Sequence, residues 1–392
     1  MPSPWGLVAL LWVVATLNYL DRQVIFSVLP LLQNDLHASP TQLGLIGTVF
    51  LWTYGLLAPV AGYIADRAGR VRVILFSLLV WSLVTWLTGY VRTIPELLVT
   101  RALMGISEAC YLPAALALVV AAHPQRTRSL AAGIHQSGLY TGAILGGAWG
   151  GWMGETYGWR PVFSILGVIG LVYLSVLWWF LRRHRESAGE TNPLSIVPSM
   201  REVLRSPNFG KLAAAFSIVA MANWLIYTWL PLYLVERFQL GLTVAGFSAT
   251  FYLQAASFAG ILVGGTLSDR WQSISPRGRI LMQAGGVLLA APFLFLVGFA
   301  QSMPVFIVGI VTFGFGRGVY DCNTMPVLSE FVRPELRSTG YGLLNLFSCL
   351  AGGVIAAAAG FFKSSLGLGG AFEVAAGLMV MAGLLLLRTE NR

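Results

Sequence analysis

Apolar runs of about twenty residues follow one another along nearly the whole chain, and short polar stretches separate them. A bilayer core about 30 Å thick takes about 20 residues of helix to cross. Lipid offers no partner to backbone N–H and C=O groups, so only helices or closed barrels span it, and uninterrupted runs of this length select helices. The pattern predicts twelve spans, at roughly 7–31, 42–64, 73–90, 97–121, 129–152, 160–181, 210–235, 243–267, 280–300, 304–329, 339–362 and 368–387. The longest polar stretch, with Arg182, Arg183, His184 and Arg185 followed by prolines and serines, reads as a linker. The expected organisation is a six-helix bundle over 1–181, a linker over 182–208 and a second six-helix bundle over 209–392.

Composition agrees with this solvent. Only 10% of residues are charged against 56% hydrophobic, with mean hydropathy +0.73, whereas a soluble domain is about a quarter charged. Met1-Pro-Ser-Pro lacks the basic start of a cleavable signal peptide, and the first apolar run is too long for one. Cys110, Cys322 and Cys349 sit in apolar runs at spacings that suggest neither a metal site nor a disulfide. The net charge of +9 follows topology. Of 25 Lys and Arg residues, Arg92, Arg160, Arg237 and Lys363 fall on one side, Arg22, Arg101 and Arg317 lie inside spans, and the rest fall on the other side. The positive-inside rule makes that basic side cytoplasmic, with both termini there. The basic excess is thereby absorbed, and no nucleic-acid partner is expected.

The two halves echo each other. Gly62-Tyr-Ile-Ala-Asp66-Arg67 ends the second span, with Gly69, Arg70 and Arg72 following, and Gly265-Thr-Leu-Ser-Asp269-Arg270 ends the eighth. Glu108 stands five residues before Pro113 in span 4, as Asp321 stands five before Pro326 in span 10. Gln136 in span 5 falls opposite Asn345 in span 11. Repeated halves are a common transporter plan, with the binding site near the bilayer midplane. In span 5, Gly138, Gly142, Gly146, Gly150 and Gly154 share nearly one helix face, a rail for close helix contact, and Gly352, Ala356 and Gly360 in span 11 form a weaker counterpart.

Charges at membrane depth are the candidate chemistry: Asp21 and Arg22 in span 1, Arg101 and Glu108 in span 4, Arg317 and Asp321 in span 10. Each costs about 2.5–3.5 kcal/mol at a helix centre on insertion scales, so such residues face a cavity or one another and mark ion or substrate paths. Their formal charges sum to zero. Arg101 and Glu108 are two turns apart on one face. Arg317 and Asp321 are one turn apart and able to neutralise each other. Burial disfavours a charged carboxyl group and a neighbouring arginine restores it, while arginine presents a planar fork to a carboxylate. Asp21, Glu108 and Asp321 are therefore the candidate proton carriers. Arg22, Arg101, Tyr19, Tyr54, Gln136, Arg317, Tyr320, Asn323 and Asn345 are the candidate substrate contacts. His135 in span 5 reads as a hydrogen-bonded helix contact. No H-E-x-x-H occurs and only four histidines are present, so neither an enzyme nor a metal or cofactor site is expected.

G-x-x-x-D-R-x-G-R-x-R over 62–72 resembles the signature loop of the major facilitator superfamily, and the likeness covers the whole chain. It implies an all-α membrane protein of twelve transmembrane helices in two pseudo-symmetric six-helix bundles. It also implies that Gly62 packs against span 11, that Asp66 faces the cytoplasmic helix ends and that Arg70 joins an ion-pair cluster closing the cytoplasmic side. Arg67, Gly69, Asp269 and Arg270 complete that gating set, although the second copy departs from the pattern after Arg270. Asn18-Tyr-Leu-Asp21-Arg22 with Arg101-x-x-x-Gly105-x-x-Glu108-Ala109, together with Gly158-Trp159-Arg160, resembles the anion:cation symporters, which carry sugar acids and other organic anions. The Spinster family of lysolipid-type transporters shares the span 1 and span 4 motifs. The resemblance implies a monomeric, proton-coupled symporter of a small organic anion in a bacterial inner membrane, with export of an amphipathic substrate as the alternative.

Overall fold

The computed structural model describes residues 3–123, 128–182, 196–333 and 336–389, and their side chains except at 62–68, 120, 128–130, 196, 337 and 338. Those residues form helices and no strands: α1 Pro4–Ser27, α2 Leu29–Asp35, α3 Pro40–Ala68, α4 Arg70–Thr88, α5 Ile94–Glu108, α6 Tyr111–Ala122, α7 Arg128–Tyr157, α8 Trp159–Leu181, α9 Ile196–Leu204, α10 Phe209–Phe238, α11 Leu242–Ile274, α12 Gly278–Phe299, α13 Met303–Phe331 and α14 Arg337–Leu387. Local chemistry sets several starts. Ser3 Oγ accepts from Gly6 N, and Ser39 and Gln42 form a reciprocal capping box ahead of Pro40.

Ten helical stretches among the described residues are long and apolar enough to cross a membrane. The last of them is two crossings. The 51 residues of α14 would extend about 77 Å as one helix, but Gly367 breaks it at φ 66°, ψ 171°, a left-handed φ that glycine adopts without strain. The glycine-rich, 30-residue α7 adds a further crossing. The twelve expected spans are thus accounted for, with two differences. Span 4 is broken between α5 and α6, directly after Glu108. Pro113 supplies no N–H for the carbonyl of Ala109, and its ring crowds that carbonyl. The stretch expected as linker ends in a helix, α9.

The chain divides into two compact units, Met1–Asn192 with Gln239–Ser248, and Pro193–Phe238 with Ala249–Arg392. In the first, the glycine rail of α7 lies against α1. A Cβ on Gly142 would sit 2.2 Å from the Thr16 carbonyl oxygen, and one on Gly146 2.7 Å from that of Leu20. Helix backbones meet here with no side chain between them. At the far end of α7, Glu155 Oε2 accepts from Thr243 N at 3.0 Å and Thr243 Oγ1 at 2.5 Å. The Thr243 hydroxyl and then its amide hold the Glu155 carboxyl below its ordinary range.

The second unit fills the equivalent contact with bulk. Trp224 lies over Gly352, and Trp229 Nε1 donates to Ala356 O at 3.1 Å, so the weaker small-residue face of span 11 receives indole rings from α10. Its closest backbone approaches are on α13, where a Cβ on Gly318 would meet Ser257 O at 2.1 Å. Gly142→Val should therefore lower the thermal midpoint of the detergent-purified protein, by an overpacking cost of about 1–3 kcal/mol or more. Gly133→Ala on the same helix, where an added Cβ meets nothing within 4 Å, should leave that midpoint unchanged or slightly raised.

Candidate functional site

The first unit gathers the deep charges of spans 1 and 4. Asp21 and Arg22 are neighbours on α1, so their side chains leave the helix about 100° apart. Arg22 reaches α5, where its Nε–H donates to Glu108 Oε2 at 2.5 Å. Glu108 is fully buried at the last turn before the Pro113 break, and Arg22 is nearly so. Asp21 turns to α4 and accepts from Thr85 Oγ1 at 3.3 Å.

Three aromatic rings surround the Arg22 guanidinium. Its Cζ lies 4.5 Å from the ring centroid of Tyr54, 4.9 Å from Tyr19 and 5.0 Å from Phe50. Ring faces attract a cation, most strongly when water is excluded. Phe50 and Tyr54 stack one turn apart on α3, Tyr19 comes from α1 and Glu108 from α5, so three helices fix the position of one cation.

Arg101 lies two turns before Glu108 on α5 and is 2% exposed. It is close enough to Glu108 and Asp21 for their charges to interact, yet it bridges neither among the described ion pairs. Among the described residues its Nε and Nη2 have no hydrogen-bond partner, nor does Asp21 Oδ1, while Glu108 also accepts from the Asn18 side chain. Buried polar groups are nearly always satisfied, and the exceptions call for an explanation. Here donors and acceptors of both signs remain open around one ion pair. Helix spacing puts Arg101 on the face of Glu108, but the ion pair to Glu108 comes from Arg22 across the helix contact.

Beside this group, Tyr111 Oη donates to Leu11 O at 2.8 Å and lies 3.0 Å from His135 Nε2. Tyr111 has one hydroxyl proton, so His135 donates from Nε2 in this arrangement. His135 thus ties α7 to α6 and α1, the helix-contact role read from its position.

In the second unit, Arg317 Nε and Asp321 Oδ2 pair at 3.3 Å within α13. The Arg317 guanidinium lies 5.6 Å from the Tyr227 ring centroid, and Tyr227 Oη is hydrogen-bonded to Gln254 Nε2. Tyr320 is buried against Phe216, and Asn323 is buried with its Nδ2 donating to Val319 O. Asn345, on α14, accepts from Cys349 Sγ at 3.9 Å. Gln136 is exposed on α7.

The side chains of Gly62, Asp66 and Arg67 fall outside the described residues. Gly69 joins α3 to α4 at φ 91°, and Arg70 opens α4. In the second copy, Asp269 pairs with Arg279 at 3.2 Å, and Arg279 also approaches Glu330 at 4.0 Å, while Arg270 is exposed. The copy therefore keeps its acid and takes a different arginine.

Thr85, Phe50 and Asn18 join the site without having been among the sequence candidates. Thr85 and Phe50 are neutral residues in apolar helices and carry no depth signal. Asn18 lies in the polar run of span 1 that drew attention to Asp21.

Residues 11–357 match the Major Facilitator Superfamily. The chain belongs to that superfamily. It is therefore a multi-pass membrane transporter of the twelve-helix, two-bundle fold. Among its relatives is the probable galactarate/D-glucarate transporter of Escherichia coli K12, 26% identical over 91% of this chain and 87% of that protein. Another is protein spinster homolog 1 of Xenopus tropicalis, 29% identical over 88% of this chain and 70% of that protein. Among solved structures, a bacterial homologue of the human lysosomal transporter Spinster, inward-facing and unoccupied, matches with a TM-score of 0.81. It is 22% identical, over 99% of this chain and 95% of that one. These relatives are transporters and not enzymes.

Proposed function

We propose that this transporter is a proton-coupled symporter of a small organic anion of the sugar-acid class. The observation that carries the reading is the buried Arg22–Glu108 pair, with the open donors of Arg101 beside it. An incoming carboxylate is a planar acceptor that competes with Glu108 for the Arg22 fork and finds two more donors on Arg101. Once Arg22 turns to the substrate, Glu108 is a carboxylate without a cation in a dry site, and it takes a proton. One anion and one proton are thereby bound together, and neither is stable there alone. Asp21, with one oxygen on Thr85 and one open, is the second acid of this exchange. The galactarate/D-glucarate relative supports a polyhydroxy dicarboxylate as substrate. Asp321 and Arg317 are assigned to the same pathway on their depth and their correspondence with Glu108.

In this reading 1–181 and 209–392 are the halves that alternate access, with 182–208 linking them. The protein works as a monomer in a bacterial inner membrane with both termini cytoplasmic. The test is uptake of labelled galactarate into proteoliposomes. Uptake should rise as the outside is acidified and collapse with an uncoupler; uptake indifferent to the proton gradient would refute the coupling.

The span 1 and span 4 motifs shared with the Spinster family, together with the likeness to protein spinster homolog 1 of Xenopus tropicalis, motivate a second reading, proton-driven export of an amphipathic substrate. Competition separates the two. Sugar acids should inhibit transport in the first reading, and lysolipids or cationic drugs in the second.

A further inference from the structure

Helix α9 buries one stripe and exposes another of unusual composition. Ser199, Met200 and Val203 face inward, and Val203 is fully buried in a cluster with Phe209, Leu328 and Leu344 at the ends of α10, α13 and α14. The outward stripe runs Val197, Arg201, Leu204, Arg205, spaced by four, three and one residues. The backbone turn continues through Arg205 N to Arg201 O. Val197 is 74% exposed and Leu204 49%, while both arginines are exposed.

Among the described residues, Arg201 and Arg205 enter no ion pair. Glu202 is the one acid between 196 and 211, and it is paired with Arg333 at 2.7 Å on the flank of the helix. Arg201, Arg205 and Lys211 are all positive. Position matters equally. α9 ends at Leu204, and the membrane-crossing α10 begins at Phe209, so α9 lies at the level where the chain enters the bilayer.

A helix in open water gains nothing from a bare valine and leucine between arginines. A helix at a membrane surface gains from both, because the apolar side chains enter the headgroup–acyl boundary and the arginines meet anionic headgroups. We propose that the outward stripe of α9 is a binding surface for anionic phospholipid. It anchors the segment ahead of α10 to the leaflet through Arg201 and Arg205 on the phosphate and Val197 and Leu204 below it. The surface is independent of the Arg22–Glu108 site.

The test is retention of phosphatidylglycerol against phosphatidylcholine by the full-length protein in mixed micelles, read by native mass spectrometry, with thermal midpoint in lipid-free detergent as the folding control. Arg201→Gln/Arg205→Gln should reduce the preference for phosphatidylglycerol about three- to tenfold at an unchanged midpoint. Arg201→Lys/Arg205→Lys should retain most of it. An undiminished preference in the glutamine variant would overturn the proposal. So would an equal loss in the lysine variant, because a headgroup field does not distinguish the two cations.

Discussion

Glu108→Gln is expected to abolish proton-driven accumulation of the anion while leaving exchange of internal for external anion intact. Glutamine has nearly the shape of glutamate and keeps a carbonyl oxygen for Arg22 Nε–H, but it binds no proton in the physiological range. One pH unit across the membrane contributes about 1.4 kcal/mol per coupled proton, a factor of about ten in accumulation. Wild type should concentrate galactarate about tenfold per coupled proton across such a gradient, and the variant should only equilibrate it. Exchange is the control for folding. The substitution leaves Arg22 without its anion, and breaking a buried pair costs about 3–5 kcal/mol, part of which the rings of Tyr19, Phe50 and Tyr54 offset. Accumulation like that of wild type would remove Glu108 from the coupling.

Arg22 is the second large effect. Arg22→Ala should eliminate measurable anion binding, since it removes the fork and leaves Glu108 buried and unpaired. Arg22→Lys is the more informative change. It keeps the charge and loses the planar guanidinium that stacks among three rings and donates through Nε. A hydrogen bond to a charged group contributes about 1.5–3 kcal/mol, so anion affinity should fall roughly 10- to 100-fold. Equilibrium binding of galactarate by calorimetry measures this directly. Normal affinity in the lysine variant would mean that the substrate sees a point charge at Arg22 or does not touch it.

Much of the fold is legible in the sequence because lipid leaves so little choice. Apolar length gives the crossings, and glycines four residues apart on α7 announce the close packing on α1. What escaped is what depends on local sterics or on partners. The break after Glu108 needs Pro113 to crowd Ala109 in this particular helix, since Pro326, at the matching place, leaves α13 continuous. The close approaches of α13 lie on two faces: Gly314 and Gly318, four residues apart, meet α11 at Leu253 and Ser257, while Gly316 between them meets α12 at Gly286, so no one long rail stands out in the sequence.

The site divides in the same way. Depth alone singles out Asp21, Arg22, Arg101 and Glu108, because a charge in lipid is costly wherever it points. Depth does not say which arginine meets Glu108. Arg101 shares its helix face, but Arg22 comes from a facing helix with a side chain long enough to reach. Thr85 and Phe50 have no insertion cost to betray them, and only the packing of α4 and α3 brings them to Asp21 and Arg22.

The central claim is that Glu108 carries the proton that enters with the anion. The direct measurement is proton movement itself, read with an external pH indicator when galactarate is added to weakly buffered proteoliposomes. Wild type should alkalinise the outside in step with galactarate uptake, and Glu108→Gln should not, under conditions where that variant still exchanges galactarate. Equal alkalinisation by the variant, or galactarate uptake by wild type with no proton movement, would contradict that claim.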